Sequence, residues 1–190
     1  MDLPVIPPVL IIPGLGGSGP QHWQTRWESL YPRTVRVAQC DWDHPDRAQW
    51  LATLESAIAG AAEPVVLVAH SLGCALVAHL ASCPSAARVV AALLVAPADV
   101  DSPERTPPET RSFAPMPMAP LPFPASVVAS DDDPYVTLAR AQAFAGAWGA
   151  AFVDAGRRGH LNADSALGDW PEGRRVLEAL VAGAPLPGLR

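Results

Sequence analysis

The chain has 190 residues, 49% of them hydrophobic and 17% charged, which suits one domain (1–190) with a sizeable core and excludes a disordered segment. A formal charge of −6 and the lack of a basic stripe argue against nucleic acid as a partner, and give no attraction to an anionic membrane surface. Cys40, Cys74 and Cys83 are odd in number and lack metal-ligand spacing, so they read as reduced thiols of a cytoplasmic protein. The opening Met-Asp-Leu-Pro-Val-Ile-Pro-Pro has neither the basic nor the long apolar region of a signal peptide. The most apolar run, residues 89–98, is too short to span a bilayer.

Taken in order, residues 9–12 form a short apolar run that ends at Pro13-Gly14 and opens a Gly-rich loop to Pro20. Residues 21–30 have Trp23, Trp27 and Leu30 at helical spacing. A weak strand at 34–38 is followed by a helix at 46–59, with Trp50, Leu51, Leu54 and Ile58 on one side. Residues 64–69 are a nearly continuous apolar strand, and a helix over 72–82 follows at once. Residues 89–95 form another buried strand. The stretch 99–124 is too rich in Pro for a helix through most of it, and is either a surface excursion or a reduced lid. A strand at 126–129, a helix at 138–148, a short strand at 151–153 and a final helix at 172–182 complete the chain. About six strands with apolar residues on both faces, separated by helices, predict an α/β fold with a mostly parallel sheet covered on both sides.

Ser71 stands where an apolar strand meets a helix. The small residues Ala69 and Gly73 lie two positions to either side of it. This is a G-x-S-x-G nucleophile elbow with Ala in the first position, a turn so sharp that bulk near it is excluded. It would leave the N–H of Leu72, at the helix start, free to donate to an oxyanion. Ser71 taken alone could equally be a helix N-cap. The strand before, the helix after and suitable partners downstream favour the nucleophile.

A serine hydroxyl needs a general base. His70 should point away from Ser71, and His79 lies two turns into the following helix. His160, in Gly-Arg-Arg-Gly-His-Leu-Asn after the last strand, fits the chain order Ser, acid, His. The acid should lie between them at a strand end, where Asp131, Asp132 and Asp133 are consecutive. Spacing does not choose among the three, and Asp154 is a fourth candidate, placed close to the His loop. The loop Pro13-Gly14-Leu15-Gly16-Gly17-Ser18-Gly19 lacks the G-K-[ST] ending and the G-x-G-x-x-G spacing of phosphate cradles. It reads better as an oxyanion loop, with the Leu15 N–H joining that of Leu72.

Four stretches together resemble one family: Pro-Gly-Leu-Gly-Gly-Ser-Gly-Pro-Gln-His-Trp-Gln-Thr-Arg-Trp-Glu (13–28), His-Ser-Leu-Gly-Cys (70–74), Ala-Ser-Asp-Asp-Asp-Pro-Tyr (129–135) and Gly-His-Leu-Asn-Ala-Asp-Ser-Ala-Leu-Gly-Asp-Trp-Pro-Glu-Gly (159–173). The chain looks like the small serine hydrolases related to YdeN and retinoblastoma-binding protein 9, and fits the bacterial branch best. The resemblance implies an α/β-hydrolase core without a large cap domain, and a Ser-Asp-His triad. It also implies Asp133, directly before Pro134-Tyr135, as the acid, with Asp132 in reserve. The activities it implies are modest carboxylesterase and peptidase-like ones. The retinoblastoma-binding member carries Leu-x-Cys-x-Glu, whereas this chain has Leu72-Gly73-Cys74-Ala75-Leu76 in a segment expected to be buried, so no pocket-protein binding is carried over.

The expected chemistry is hydrolysis of a small ester or activated amide through an acyl-enzyme on Ser71, without metal or organic cofactor. The competing readings are a thioesterase, a narrow peptidase, or a binding protein that keeps the fold without turnover. Trp23, Trp27 and Trp170 are expected to pack helix against sheet, while His22 or Trp23 could instead sit at the mouth of the acyl pocket. Asn162 is expected to brace the His160 loop.

Overall fold

The computed structural model describes residues 6–189; residues 1–5 of the stretch assessed for a targeting signal lie outside them. Six strands form one sheet: β1 (Val9–Ile12), β2 (Thr34–Arg36), β3 (Val65–His70), β4 (Val89–Val95), β5 (Ala125–Ala129) and β6 (Ala151–Asp154). Their order is β2-β1-β3-β4-β5-β6, and every neighbouring pair is parallel. Five α-helices connect them: α1 (Trp23–Leu30), α2 (Arg47–Gly60), α3 (Leu72–Leu80), α4 (Leu138–Trp148) and α5 (Pro171–Ala182).

The strands divide their side chains between two cores with period two. Leu10, Ile12, Leu67, Ala69, Leu94 and Val127 join the core under α2, α3 and α4. Val9, Ile11, Val66, Val68, Leu93 and Val128 join the core under α1 and α5. Both faces are therefore covered, which is why the sequence runs are continuously apolar instead of alternating. On the α1/α5 side, the Trp23 ring lies 4.9 Å from Trp27 and 4.8 Å from Trp170. Such aromatic contacts contribute about 0.5–1.5 kcal/mol each beyond the area they bury. All three indoles are buried, as expected of packing residues.

Two helix ends differ from the sequence expectation by two residues, each for a local reason; the others agree within one residue. α1 begins at Trp23 because His22 is extended (ψ 140°) and caps the helix, its Nδ1 accepting the N–H of Gln24 at 3.2 Å. α3 ends at Leu80, short of residue 82, because Pro84 has no N–H to bond the Leu80 carbonyl and its ring crowds that oxygen, which takes the Cys83 N–H instead. Residues 99–124 form no strand or α-helix and hold one 3-10 turn, Pro108–Phe113. Thr106, Pro107 and Thr110 of this segment form one wall of the cavity above Ser71.

From β1 the chain moves outward to β2, then returns to place β3 on the other side of β1. In open parallel sheets this reversal leaves a crevice at the carboxyl ends of the two central strands, where ligands bind. Here those ends are Pro13-Gly14-Leu15 after β1 and Ser71-Leu72 after β3.

Candidate active site

Ser71 has φ 56° and ψ −121°, a conformation that L-residues rarely adopt. Its side chain makes no capping bond to α3, so the N-cap alternative is not what the fold uses. The turn is possible because its neighbours are small. A Cβ on Gly73 would run into the carbonyl oxygens of Ile12 and Pro13, and one on Gly14 would come within 2.8 Å of the Ser71 Cβ. The oxyanion-loop candidate and the elbow are thus in direct contact. Neither the Leu15 nor the Leu72 N–H has an acceptor among the described residues.

The Ser71 Oγ lies 2.8 Å from His160 Nε2, and His160 Nδ1 lies 2.8 and 2.9 Å from the two carboxylate oxygens of Asp133. A carboxylate can only accept, so Nδ1 carries the proton and Nε2 presents its lone pair to the serine hydroxyl. The Asp133 side chain is fully buried and that of His160 only 8% exposed. Asp133 Oδ1 also accepts the Tyr135 N–H at 2.8 Å, and the Tyr135 ring lies 4.5 Å from the imidazole.

The other acidic candidates have different work. Asp132 Oδ1 accepts the Gly159 N–H at 2.8 Å and the Ser130 hydroxyl at 2.9 Å. Those two donors, the Gly159 amide first, hold its carboxyl below the usual aspartate range. It ties the end of β5 to the His160 loop. Asp131 is exposed, its N–H donating to the Gly156 carbonyl, and Asp154 Oδ1 accepts the Gly156 N–H at 2.7 Å.

Neighbouring residues hold the His160 loop in place. His70 points away from Ser71, as expected, but its Nε2–H donates to the His160 carbonyl at 2.9 Å and so holds the His160 loop. Burial, then the nearby His160 and His22 rings, push its pKa well below the usual histidine value, leaving it a neutral donor. Trp23 Nε1–H donates to the Leu161 carbonyl at 2.8 Å from the same side. Asn162 caps the short 3-10 turn after His160 and accepts the Asp164 N–H.

On the oxyanion-loop side, Gln24 is completely buried. Its amide donates to the Val68 carbonyl at 3.0 Å and its oxygen accepts the Ser18 hydroxyl at 2.6 Å. The sequence signal was present: an amide stands between Trp23 and Trp27 on the buried arc of α1. A polar group there is retained only when its bonds are made.

Burial pushes the Cys74 thiol well above its usual pKa, which keeps it in the unreactive thiol form. The segment Leu72–Leu76 is wholly buried, where the sequence reading expected most of it to be. Among the described residues no group of three His, Cys, Asp or Glu side chains is arranged to hold a metal ion. No helix among them is long and apolar enough to cross a membrane.

Parallel sheet, strained serine turn and buried histidine–carboxylate pair define an α/β-hydrolase-fold protein of the serine hydrolase class. The serine hydrolase family profile matches residues 9–179, and the chain belongs to that family, with YdeN-like hydrolases among its structural neighbours. A YdeN-like hydrolase from Pectobacterium atrosepticum superposes with a TM-score of 0.80 at 30% identity, over 93% of this chain and 92% of that one. The ydeN gene product of B. subtilis gives 0.68 at 21% identity, over 92% and 98%. The type II thioesterase BorB, from the borrelidin biosynthetic cluster, gives 0.59 at 22% identity, over 95% and 91%, a likeness of fold. No curated protein sequence matches the chain.

Proposed function

We propose that the protein, acting as one α/β-hydrolase domain, hydrolyses small carboxylic esters or activated amides through an acyl-enzyme on Ser71. The observation that carries this reading is the continuous bond chain from Ser71 Oγ through His160 to the buried Asp133. Ser71 attacks the carbonyl while His160 Nε2 takes its proton, and the resulting imidazolium is stabilised by Asp133. The N–H groups of Leu15 and Leu72, cavity-lining residues whose amides have no acceptor among the described residues, receive the oxyanion. His160 returns the proton to the leaving group, and water on the same base then releases the acid. The cavity, about 260 Å³, lies below the range of drug-sized pockets and suits a short substrate. All three cysteines are free, which agrees with action in the reducing cytoplasm.

A fluorophosphonate probe tests the nucleophile. Wild type is expected to be labelled and to hydrolyse p-nitrophenyl acetate, and folded Ser71→Ala to do neither. Labelling of Ser71→Ala at the wild-type rate would sink the assignment. A parallel screen of esters, thioesters and aminoacyl amides ranks the leaving groups.

A further inference from the structure

The capping residue of α1 brings an extra imidazole to the wall of the cavity that holds Ser71. His22 is 5% exposed, and its ring is held by Trp23 at 5.4 Å and by an edge-on contact with His70 at 4.7 Å. Its Nδ1 accepts the Gln24 N–H, so that nitrogen carries no proton. The neutral ring must therefore be protonated on Nε2. Burial first, then the nearby His160 and Arg36, lower its pKa to about 4, so the ring is neutral at ordinary pH.

Nε2–H is thus a fixed donor, and it is buried with no partner. A buried donor left unbonded is destabilising, so it needs a reason to exist. Other polar side chains that line the cavity are engaged. Thr106 Oγ1 donates to backbone carbonyls and accepts from Arg111, and Thr110 Oγ1 donates to the Pro107 carbonyl. Among the described residues that line the cavity, His22 is the one with a buried, unpartnered side-chain nitrogen.

We propose that His22 Nε2–H is a substrate-recognition donor that bonds an oxygen acceptor carried by the substrate beyond its scissile carbonyl. The preferred substrates are then esters of small oxygenated acids or alcohols, in preference to plain alkyl esters. This rests on the reading of Ser71 as nucleophile and adds the substrate class to it. The acceptor lies on the acyl part or on the leaving group, and the two are separable by experiment.

The test variant is His22→Asn, which retains a good N-cap acceptor and removes the Nε2–H; His22→Ser, a good N-cap too short to reach the Nε2 position, is the second variant if the first does not fold. Each is assayed on two pairs in which an ether oxygen replaces a methylene. The acyl-side pair is p-nitrophenyl methoxyacetate and p-nitrophenyl butyrate. The alcohol-side pair is 2-methoxyethyl acetate and n-butyl acetate, followed by acid release. Within one pair, the ratio of kcat/KM for the ether ester to that for the alkyl ester is expected to fall about tenfold in the variant. The responding pair identifies the side. If both ratios equal those of wild type, His22 only caps α1 and the proposal is overturned. Failure of wild type to react with a fluorophosphonate is a separate result, which removes the Ser71 reading and this one with it.

Discussion

Asp132 and Asp133 are adjacent carboxylates, and replacing each by Asn should have very different consequences. Asp133 Oδ1 accepts both the Tyr135 N–H and the His160 Nδ1–H, while Oδ2 sits 2.8 Å from the same Nδ1. In Asp133→Asn, the amide oxygen is retained at the Tyr135 side and the NH₂ group takes the Oδ2 position. A donor then faces a donor across 2.8 Å. The contact is relieved when the imidazole moves its proton to Nε2, where it can no longer accept from Ser71. Loss of the negative charge also leaves the imidazolium without its counter-ion. Removing an orienting carboxylate in this way costs about 10⁴ in kcat, or about 5 kcal/mol in the barrier. In Asp132→Asn, the amide oxygen can still accept from Gly159 and Ser130, so the loop stays in place and the loss should be well under about 10²-fold. The assay is p-nitrophenyl acetate hydrolysis, with thermal melts to establish that both variants are folded. A collapse of Asp132→Asn together with an Asp133→Asn within tenfold of wild type would refute the tautomer argument.

The backbone of Ser71 should be detectable as strain. Ser71→Gly and Ser71→Ala lose the same hydroxyl bond, yet only Gly accepts φ 56° freely. Such strain is on the order of 1–3 kcal/mol, so Ser71→Gly should melt above Ser71→Ala by about 2–4 °C per kcal/mol relieved, against the usual advantage of Ala. The reverse order in calorimetry would mean the turn is relaxed. Stability should also fall on acidification through His22. Its pKa is 6.5 when unperturbed and about 4 in the fold. Between those values the unfolded chain binds a proton that the folded chain does not, so stability present above pH 6.5 is lost as pH falls toward 4. The loss from this ring is about 3 kcal/mol. Urea midpoints from pH 7 to 4.5 should decline less in His22→Asn than in wild type, and parallel declines would contradict it.

The fold was legible because a two-sided parallel sheet writes its strands as unbroken apolar runs. Thus 9–12, 65–70 and 89–95 could be placed within a residue or so. The turn at Ser71 was legible because steric crowding restricts it to small neighbours, and Gly73 does meet the Ile12 and Pro13 carbonyls. Less was visible in 99–124, whose Pro content excluded helix without showing that Thr106 and Thr110 would face the cavity. Gln24 and His70 were visible only as polar residues in apolar company.

By itself the sequence determined the sheet, the serine at its central strand end, and a histidine in the loop after the last strand, all set by local periodicity, sterics and chain order. Spacing left the three consecutive aspartates open and only the family resemblance pointed to Asp133; tertiary structure brings Asp133 to that histidine and puts His22 in the cavity wall with a buried, unpartnered Nε2. Successive residues in an irregular turn point in unrelated directions, and a burial environment is built by elements far apart in the chain. Asp133 therefore faces His160 through contacts 27 positions away, which no local spacing encodes.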